Sequence, residues 1–502
     1  MTESVSANEQ FAALDLGSNS FHLIVAQQQG DHLQVIDKIK DMVRLASGFT
    51  QDNQISEEAK QRALECLERF GQRLRTLPSA NVRVVGTNTL RKARKKRSFV
   101  LAAEEALGFE IELISGREEA RLIYLGAARA LEDNHDQRLV VDIGGGSTEL
   151  ILGHNREPKI LNSLYVGCVE LTERCFPKGE LKSAYFKEAI EFARQEFEHL
   201  EQAYKQFGWD TVIGTSGTIH AIREVLQTLD QETEITLEGL KALQKHFLEF
   251  TNTDQLNLPN ISKERAASLP GGLSVLIAIY KTFEIQKMRV ADGALREGLL
   301  YELVGRGSEE DIRESSVNKL IERYKLDHAH AGRIKETALY FLAQVAKSWE
   351  LKLPEDNQLL SWSSHVHELG MSISHNQYHK HGEYLIKHMD LSGFSQEQQT
   401  RLAFLVRVHR RKFPDQLGEL LPDDEVERLT RLAVLLRLSV LLHRNRNVKP
   451  LPHIEIIAKN QKLTICFPDS WLQDHPLGLR DLELETKWLK PSGIELILKD
   501  IQ

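Results

Sequence analysis

Residues 14–25 read LDLGSNSFHLIV and residues 141–152 read VDIGGGSTELIL. Aligned without a gap, the two stretches share an Asp, a Gly, a Ser, a Leu and an Ile, five identities in twelve. Each is an apolar run ending in Asp, then a tip of small residues, then a second apolar run. That pattern predicts a β-hairpin with no bulky side chain at its tip. The offset of 127 residues lets each copy head its own α/β domain.

The flanking sequence repeats the scheme. After the first hairpin, a strand is expected near 33–40 and a helix near 56–76, with Ser56 as its N-cap. VRVVGT (82–87) reads as a short buried strand, followed by a helix near 95–107, a strand in EIELIS and a helix over 117–130. The second copy leads to a helix near 181–206, a strand in TVIGTS (211–216), a helix near 218–228, a helix-rich region, a strand in MRVADG (288–293) and a helix carrying Arg296. From about 306 helices dominate. After Pro450 and Pro452 the stretch HIEIIAKNQKLTICF reads as strands. The expected domains are 1–130 and 131–306, both α/β, a helical domain over 307–448, and a small terminal α/β module over 449–502.

Gly and Ser at a hairpin tip expose backbone N–H groups to phosphate oxygens, because no Cβ obstructs the approach. Gly17, Ser18, Asn19 and Ser20 form the first candidate cradle; Gly144, Gly145, Gly146, Ser147 and Thr148 form the second. A third loop, Gly214-Thr215-Ser216-Gly217-Thr218, joins a strand to a helix N-terminus, which favours anions. Asp142 and Glu149 flank the second cradle with carboxylates suited to Mg²⁺, and Asp15 stands to join through water. Mg²⁺ keeps several waters and needs only one or two carboxylates besides phosphate oxygens.

Composition narrows the class. The 502 residues are 41% hydrophobic and 27% charged, which excludes a disordered chain. The net charge of −8 argues against a nucleic-acid partner. Cys66, Cys168, Cys175 and Cys466 form no C-x-x-C pair, so neither a disulfide framework nor a zinc ribbon is expected. The opening MTESVSANEQ lacks the features of a signal peptide, and no uninterrupted apolar run reaches membrane-spanning length. The expected location is the cytoplasm, free or at the inner face of the membrane. Two basic knots stand out: RKARKKR (91–97), and Arg410, Arg411 and Lys412 within a stretch, 401–450, that carries eleven Lys/Arg against six Asp/Glu. Concentrated basic patches on an acidic chain suit an anion held in one place.

Two D-x-G hairpins and a later glycine loop resemble the actin, hexokinase and sugar-kinase superfamily, with its ribonuclease H-like, actin-like ATPase-type domains. More closely, DLGSNSFHL, TNTLR, ISGREEARLIYLG, DIGGGSTEL, GTSGT and DGALREG together resemble the exopolyphosphatase / guanosine pentaphosphate phosphohydrolase family, with HELG and QEQQ extending the likeness into the last third. The glycine triplet, GTNTLR and DGALREG resemble its bacterial exopolyphosphatase branch. The resemblance implies a phosphoanhydride hydrolase. By the family pattern the second Glu of EEA, Glu119, is the catalytic base, and Arg91 of TNTLR is a phosphate-facing arginine. Glu118 suits a helix start, where a carboxylate complements the dipole.

Six histidines, from His365 to His388, lie within 24 positions. His367-Glu368 sits where the chain resembles a metal-dependent His-Asp phosphohydrolase domain, with Glu in place of Asp. That departure favours a helical remnant whose histidines, with Arg410, Arg411 and Lys412, line a path for a long anion or shape a dimer contact. The leading expectation is an exopolyphosphatase, a homodimer acting on inorganic polyphosphate. The alternative is hydrolysis of guanosine pentaphosphate to the tetraphosphate. A sugar kinase lacks an identifiable catalytic Asp here, and an actin-like ATPase would have no use for a basic track.

Overall fold

The computed structural model describes residues 9–29, 32–50, 52, 54–94, 96–130, 136–230, 234–305, 311–414, 421 and 423–500. The expected boundary near 306 and Lys95 of the first basic knot lie outside them. The chain divides into two compact units, Met1–Ser308 and Glu309–Gln502.

The first unit contains two sheets built to one plan. Strands β1 (Gln10–Leu16), β2 (Phe21–Gln29), β3 (His32–Asp41), β4 (Val82–Gly86) and β5 (Ile111–Leu113) lie in the order β3-β2-β1-β4-β5. The second sheet comprises β6 (Gln137–Ile143), β7 (Thr148–His154), β8 (Glu157–Leu164), β9 (Thr211–Gly214), β10 (Ile235–Thr236) and β11 (Lys287–Val290), in the order β10-β11-β9-β6-β7-β8. In each, the first three strands are antiparallel and two more join in parallel, β4 and β5 in the first sheet and β9 and β11 in the second, where β10 adds an antiparallel edge. This is the pair of actin-like α/β domains that the repeat implies. The register is duplicated too: Asp15 pairs with His22 as Asp142 pairs with Glu149.

Helix Glu57–Leu74 starts at Ser56, whose side chain accepts a hydrogen bond from the Ala59 N–H, the cap expected from sequence. The single helix expected over 181–206 is two, Ser183–Glu198 and Glu201–Phe207. Helix Lys263–Phe283 has the length and hydropathy of a membrane span, but it is buried in the core of its domain, where it meets helices Ser183–Glu198 and Cys168–Cys175.

Helix Leu295–Gly305, after the last strand of the second sheet, packs on helix Gly116–Arg129 and on β1 of the first. The two helices touch backbone to backbone. A Cβ on Gly298 would fall on the Leu122 carbonyl oxygen, and one on Gly126 on the Ala294 carbonyl oxygen. Gly298→Ala is therefore expected to cost about 1–3 kcal/mol, the range for overpacking a tight contact. Urea unfolding should show the loss as a lower midpoint, and an unchanged midpoint would refute the close contact.

The second unit is helical, with a three-stranded sheet of β12 (Glu455–Lys459), β13 (Lys462–Phe467) and β14 (Glu495–Asp500). One apolar core runs from Val317 through the helices to Leu496 in this sheet. The Trp349 indole N–H donates to the Asn460 carbonyl at 3.2 Å, tying a helix end to the β12–β13 turn. Arg437, which interrupts the apolar run of helix Asp423–Leu442, is buried against Glu485 and donates to the carbonyls of Val408 and Arg411. Pairing and hydrogen bonding make the buried charge tolerable.

Candidate active site

The first unit has a cleft of about 170 Å³ whose floor is made by the two hairpins. Gly17, Ser18, Asn19 and Ser20 line it from one tip, and Gly144, Gly145 and Ser147 from the other. The tips face each other: a Cβ on Gly145 would lie 3.3 Å from that of Ser18. Ser216, Gly217 and Thr218 of the third loop close one side, at the N-terminus of helix Ser216–Asp230. The Gly144 N–H closes the second tip on the Ser147 carbonyl at 2.9 Å.

Four of the expected phosphate residues do not line the cleft and serve its frame. Thr148 donates its hydroxyl to the Val166 carbonyl at 2.5 Å. Thr215 donates to an Asp142 carboxylate oxygen at 2.6 Å, fixing that side chain. Gly146 lets Asn88 approach, and Gly214 sits against Ile219 and Met288.

Asp15, Glu119, Asp142 and Glu149 converge on the cleft. Burial pushes the Asp15 carboxyl up to about 7, reinforced by the charges of Glu119 and Asp142 and opposed by Arg296. Burial likewise raises Asp142 to about 6, against the Thr215 hydrogen bond, while Glu149 is driven well above its usual range by burial and by its acidic neighbours Glu119 and Asp142. The Asp15 Oδ1 atom is buried with no hydrogen-bond partner. A cluster of buried carboxylates with an orphaned oxygen fits a divalent cation.

These shifts set a pH dependence in the cation-free protein. Asp15 and Asp142 have ordinary values of 3.8, so between about pH 4 and 7 the folded chain binds protons that the unfolded chain has released. Stability from these groups is complete below their unfolded pKa and is lost as pH rises through the folded values. With chelator present, the unfolding midpoint of the first unit is expected to fall from pH 5 to pH 7.5. Saturating Mg²⁺ should reverse most of that fall, and equal slopes with and without the cation would remove the carboxylates as its ligands.

The two glutamates of EEA part company. Glu118 is buried and takes two hydrogen bonds from Arg121, at 2.7 and 2.8 Å. Arg121 also bonds Glu302, which Arg83 holds at 2.7 Å. Glu118 thus belongs to a buried ion network. Glu119 faces the cleft, one of its oxygens held by Arg91 at 2.9 Å. Arg91 also donates to the Ile114 carbonyl at 2.9 Å and is not among the cleft-lining residues. The arginine expected to face phosphate is thus paired with the expected base at the edge of the cleft.

Sequence reasoning passed over the cationic wall. Arg265, Arg296 and His22 line the cleft, and His22 and Arg296 continue into an adjoining cavity of about 270 Å³ with Lys38 and Lys40. The His22 ring contacts Arg296 at 3.0 Å and the Ser20 hydroxyl at 2.6 Å. Burial, Arg296 and Lys40 bring His22 down to about 3, so it is neutral. Burial, Arg265 and Arg296 bring Lys40 down to about 8. Crowded cations of this kind await an anion. The signal for His22 was present: the gapless repeat sets it opposite Glu149.

Arg410, Arg411 and Lys412 belong to the second unit, just beyond helix Gln396–Val408. The Arg410 guanidinium lies over the Tyr378 ring at 4.3 Å, and the Arg411 carbonyl accepts from Arg437.

Four carboxylates and two guanidinium groups around two glycine-serine tips define a phosphate-handling enzyme of the actin-like class. The chain belongs to the Ppx/GppA phosphatase family: that family's model matches residues 24–307, and the Ppx/GppA phosphatase domain III model matches residues 312–486. It is therefore a phosphoanhydride hydrolase. Among curated proteins it is 37% identical to a guanosine-5'-triphosphate,3'-diphosphate pyrophosphatase of Photobacterium profundum, over 98% of each chain. It is 39% identical to the protein of that name from Vibrio cholerae, over 97% of each. Among solved structures it resembles an exopolyphosphatase from Cytophaga hutchinsonii (25% identity, 59% of this chain and 98% of the other, TM-score 0.54). The Aquifex aeolicus Ppx/GppA enzyme shares the fold (24%, 58% and 99%, TM-score 0.51). The sequence motifs had favoured the exopolyphosphatase branch; the full-length relatives favour the alternative.

Proposed function

We propose that the chain removes the terminal 5′-phosphate of guanosine 5'-triphosphate,3'-diphosphate, releasing orthophosphate. The observation that supports this most directly is the cleft itself, joined to full-length likeness to two proteins of that named activity. The hairpin tips and the third loop present N–H groups to the terminal phosphate. Arg265, beside Gly217 of the third loop, and Arg296, beside His22, meet its charge, and the cavity with Lys38 and Lys40 extends the cationic surface beyond it. Asp142 and Glu149, with Asp15 beside them, would hold a divalent cation of the Mg²⁺ class, which supplies charge neutralisation to phosphate oxygens when bound.

Glu119, held by Arg91 through one oxygen, has its other oxygen to orient a water and take its proton. The water oxygen bonds to the terminal phosphorus as the bond to the bridging oxygen breaks. The bridging oxygen leaves on the remaining diphosphate, where the cationic wall meets its charge. Separation of products after incubation with the nucleotide and Mg²⁺ tests the reading. One orthophosphate per nucleotide, with both 3′-phosphates retained, is expected, and cleavage at the 3′ end would overturn it.

Inorganic polyphosphate is the second reading, favoured by the exopolyphosphatase among the solved relatives and by the basic knot at Arg410, Arg411 and Lys412. Such a knot holds a long polyanion by releasing counterions.

A further inference from the structure

The second unit encloses a cavity of about 360 Å³ that the hydrolysis does not use. Histidines gather at it from three helices. His330 lies in the first turn of helix His328–Val345, His367 and Glu368 follow helix Glu355–Val366, and His409 follows helix Gln396–Val408. Among the described residues, His330, His367 and Glu368 are the one set whose candidate ligand atoms all lie within 4.8 Å of one another.

The rings are buried and their free nitrogens are unpaired. His330, His367 and His409 are 3%, 1% and 2% exposed. The His367 Nδ1 bonds the Ser364 carbonyl at 2.8 Å, and the His409 Nδ1 bonds that of Val406 at 2.7 Å. Since a carbonyl only accepts, each Nδ1 carries the proton and each Nε2 presents a lone pair. Neither Nε2 has a hydrogen-bond partner, nor has the His330 Nδ1; the His367 Nε2 lies 4.0 Å from the Glu368 carboxylate. Buried polar atoms are normally satisfied, so three orphans at one cavity call for a ligand. A ring nitrogen fixed on a backbone carbonyl, with the other left bare, is the arrangement that orients metal-binding imidazoles. Arg446, 2.6 Å from Glu368, supplies a local cation, but it satisfies a carboxylate oxygen and none of the ring nitrogens.

We propose that His330, His367 and Glu368 bind a divalent transition-metal ion of the zinc class, at a site that shares no residue with the hydrolytic cleft. Two imidazoles and one carboxylate suit zinc, cobalt or manganese better than magnesium, which takes oxygen ligands. Three protein ligands leave a coordination position open. Arg410, Arg411 and Arg446 line the same cavity, so that position faces an anionic ligand of the phosphate type.

The test uses the full chain, stripped with chelator and kept in saturating Mg²⁺ so that the carboxylate cleft does not compete. One equivalent of Co²⁺ should bind with the visible absorption of nitrogen ligation and be displaced by Zn²⁺. Inorganic phosphate should shift that band. His330→Gln and His367→Gln should each weaken Co²⁺ binding by about tenfold or more. Should those variants fail to fold, X-ray absorption of the Zn²⁺-loaded unaltered chain decides, and two imidazoles at about 2.0–2.1 Å are expected. No stoichiometric uptake, a zinc shell without imidazole, or affinity unchanged in both folded variants would overturn the site. A band indifferent to phosphate would remove the open position.

Discussion

Glu119→Gln should lower turnover by about 10²-fold or more while nucleotide affinity stays nearly unchanged, because the amide keeps the shape of the carboxylate but cannot take the proton of water. The neighbouring substitution makes the control. Glu118→Gln breaks a buried pairing with Arg121 and leaves Arg121 without its full anionic partner, so its cost should appear as stability. Single-turnover rates and unfolding midpoints measured on both variants separate the two roles. A turnover loss in Glu118→Gln alone, with Glu119→Gln active, would reverse the assignment.

The next largest effect is expected at the cation. Asp142→Asn and Glu149→Gln each remove one anionic oxygen from a hard-ion site. Each should raise the Mg²⁺ concentration for half-maximal activity by about tenfold or more, the scale seen when a metal's ligand environment is disturbed. Glu149 also accepts a hydrogen bond from the Ser163 hydroxyl at 2.8 Å, on the adjacent strand β8. Ser163→Ala should therefore act in the same direction and more weakly. A Mg²⁺ titration in Glu149→Gln that superimposes on that of the unaltered chain would exclude this carboxylate from the site.

The sequence made the hairpins legible because near-continuous apolar runs flank small residues in both copies, and the repeat carried the architecture. It left β8 unread, although the repeat places a third strand there as a counterpart of β3. EPKILNSL carries a Pro and only scattered apolar residues, since it is an edge strand with one side exposed. The carboxylates were visible because each has a fixed place relative to a hairpin tip. Arg265, Arg296 and Lys40 were not, because three distant segments bring them together and no local spacing encodes that. The partner of Arg91 was not legible either: its neighbours in sequence are basic, but its partner in space is Glu119. In the last third, the exchange of Asp for Glu after His367 hid a cluster whose third member, His330, lies 37 positions upstream.

On the proposed function, the cleft takes a guanosine nucleotide bearing 5′-triphosphate and 3′-diphosphate in preference to other phosphoanhydrides. The most direct test is kcat/KM for that nucleotide, long polyphosphate, short polyphosphate and ATP, measured at one Mg²⁺ concentration and one ionic strength. We expect the nucleotide to exceed each of the others by about tenfold or more, equivalent to about 1.4 kcal/mol of differential transition-state binding. A higher kcat/KM for long polyphosphate would contradict the account and return the chain to the exopolyphosphatase branch.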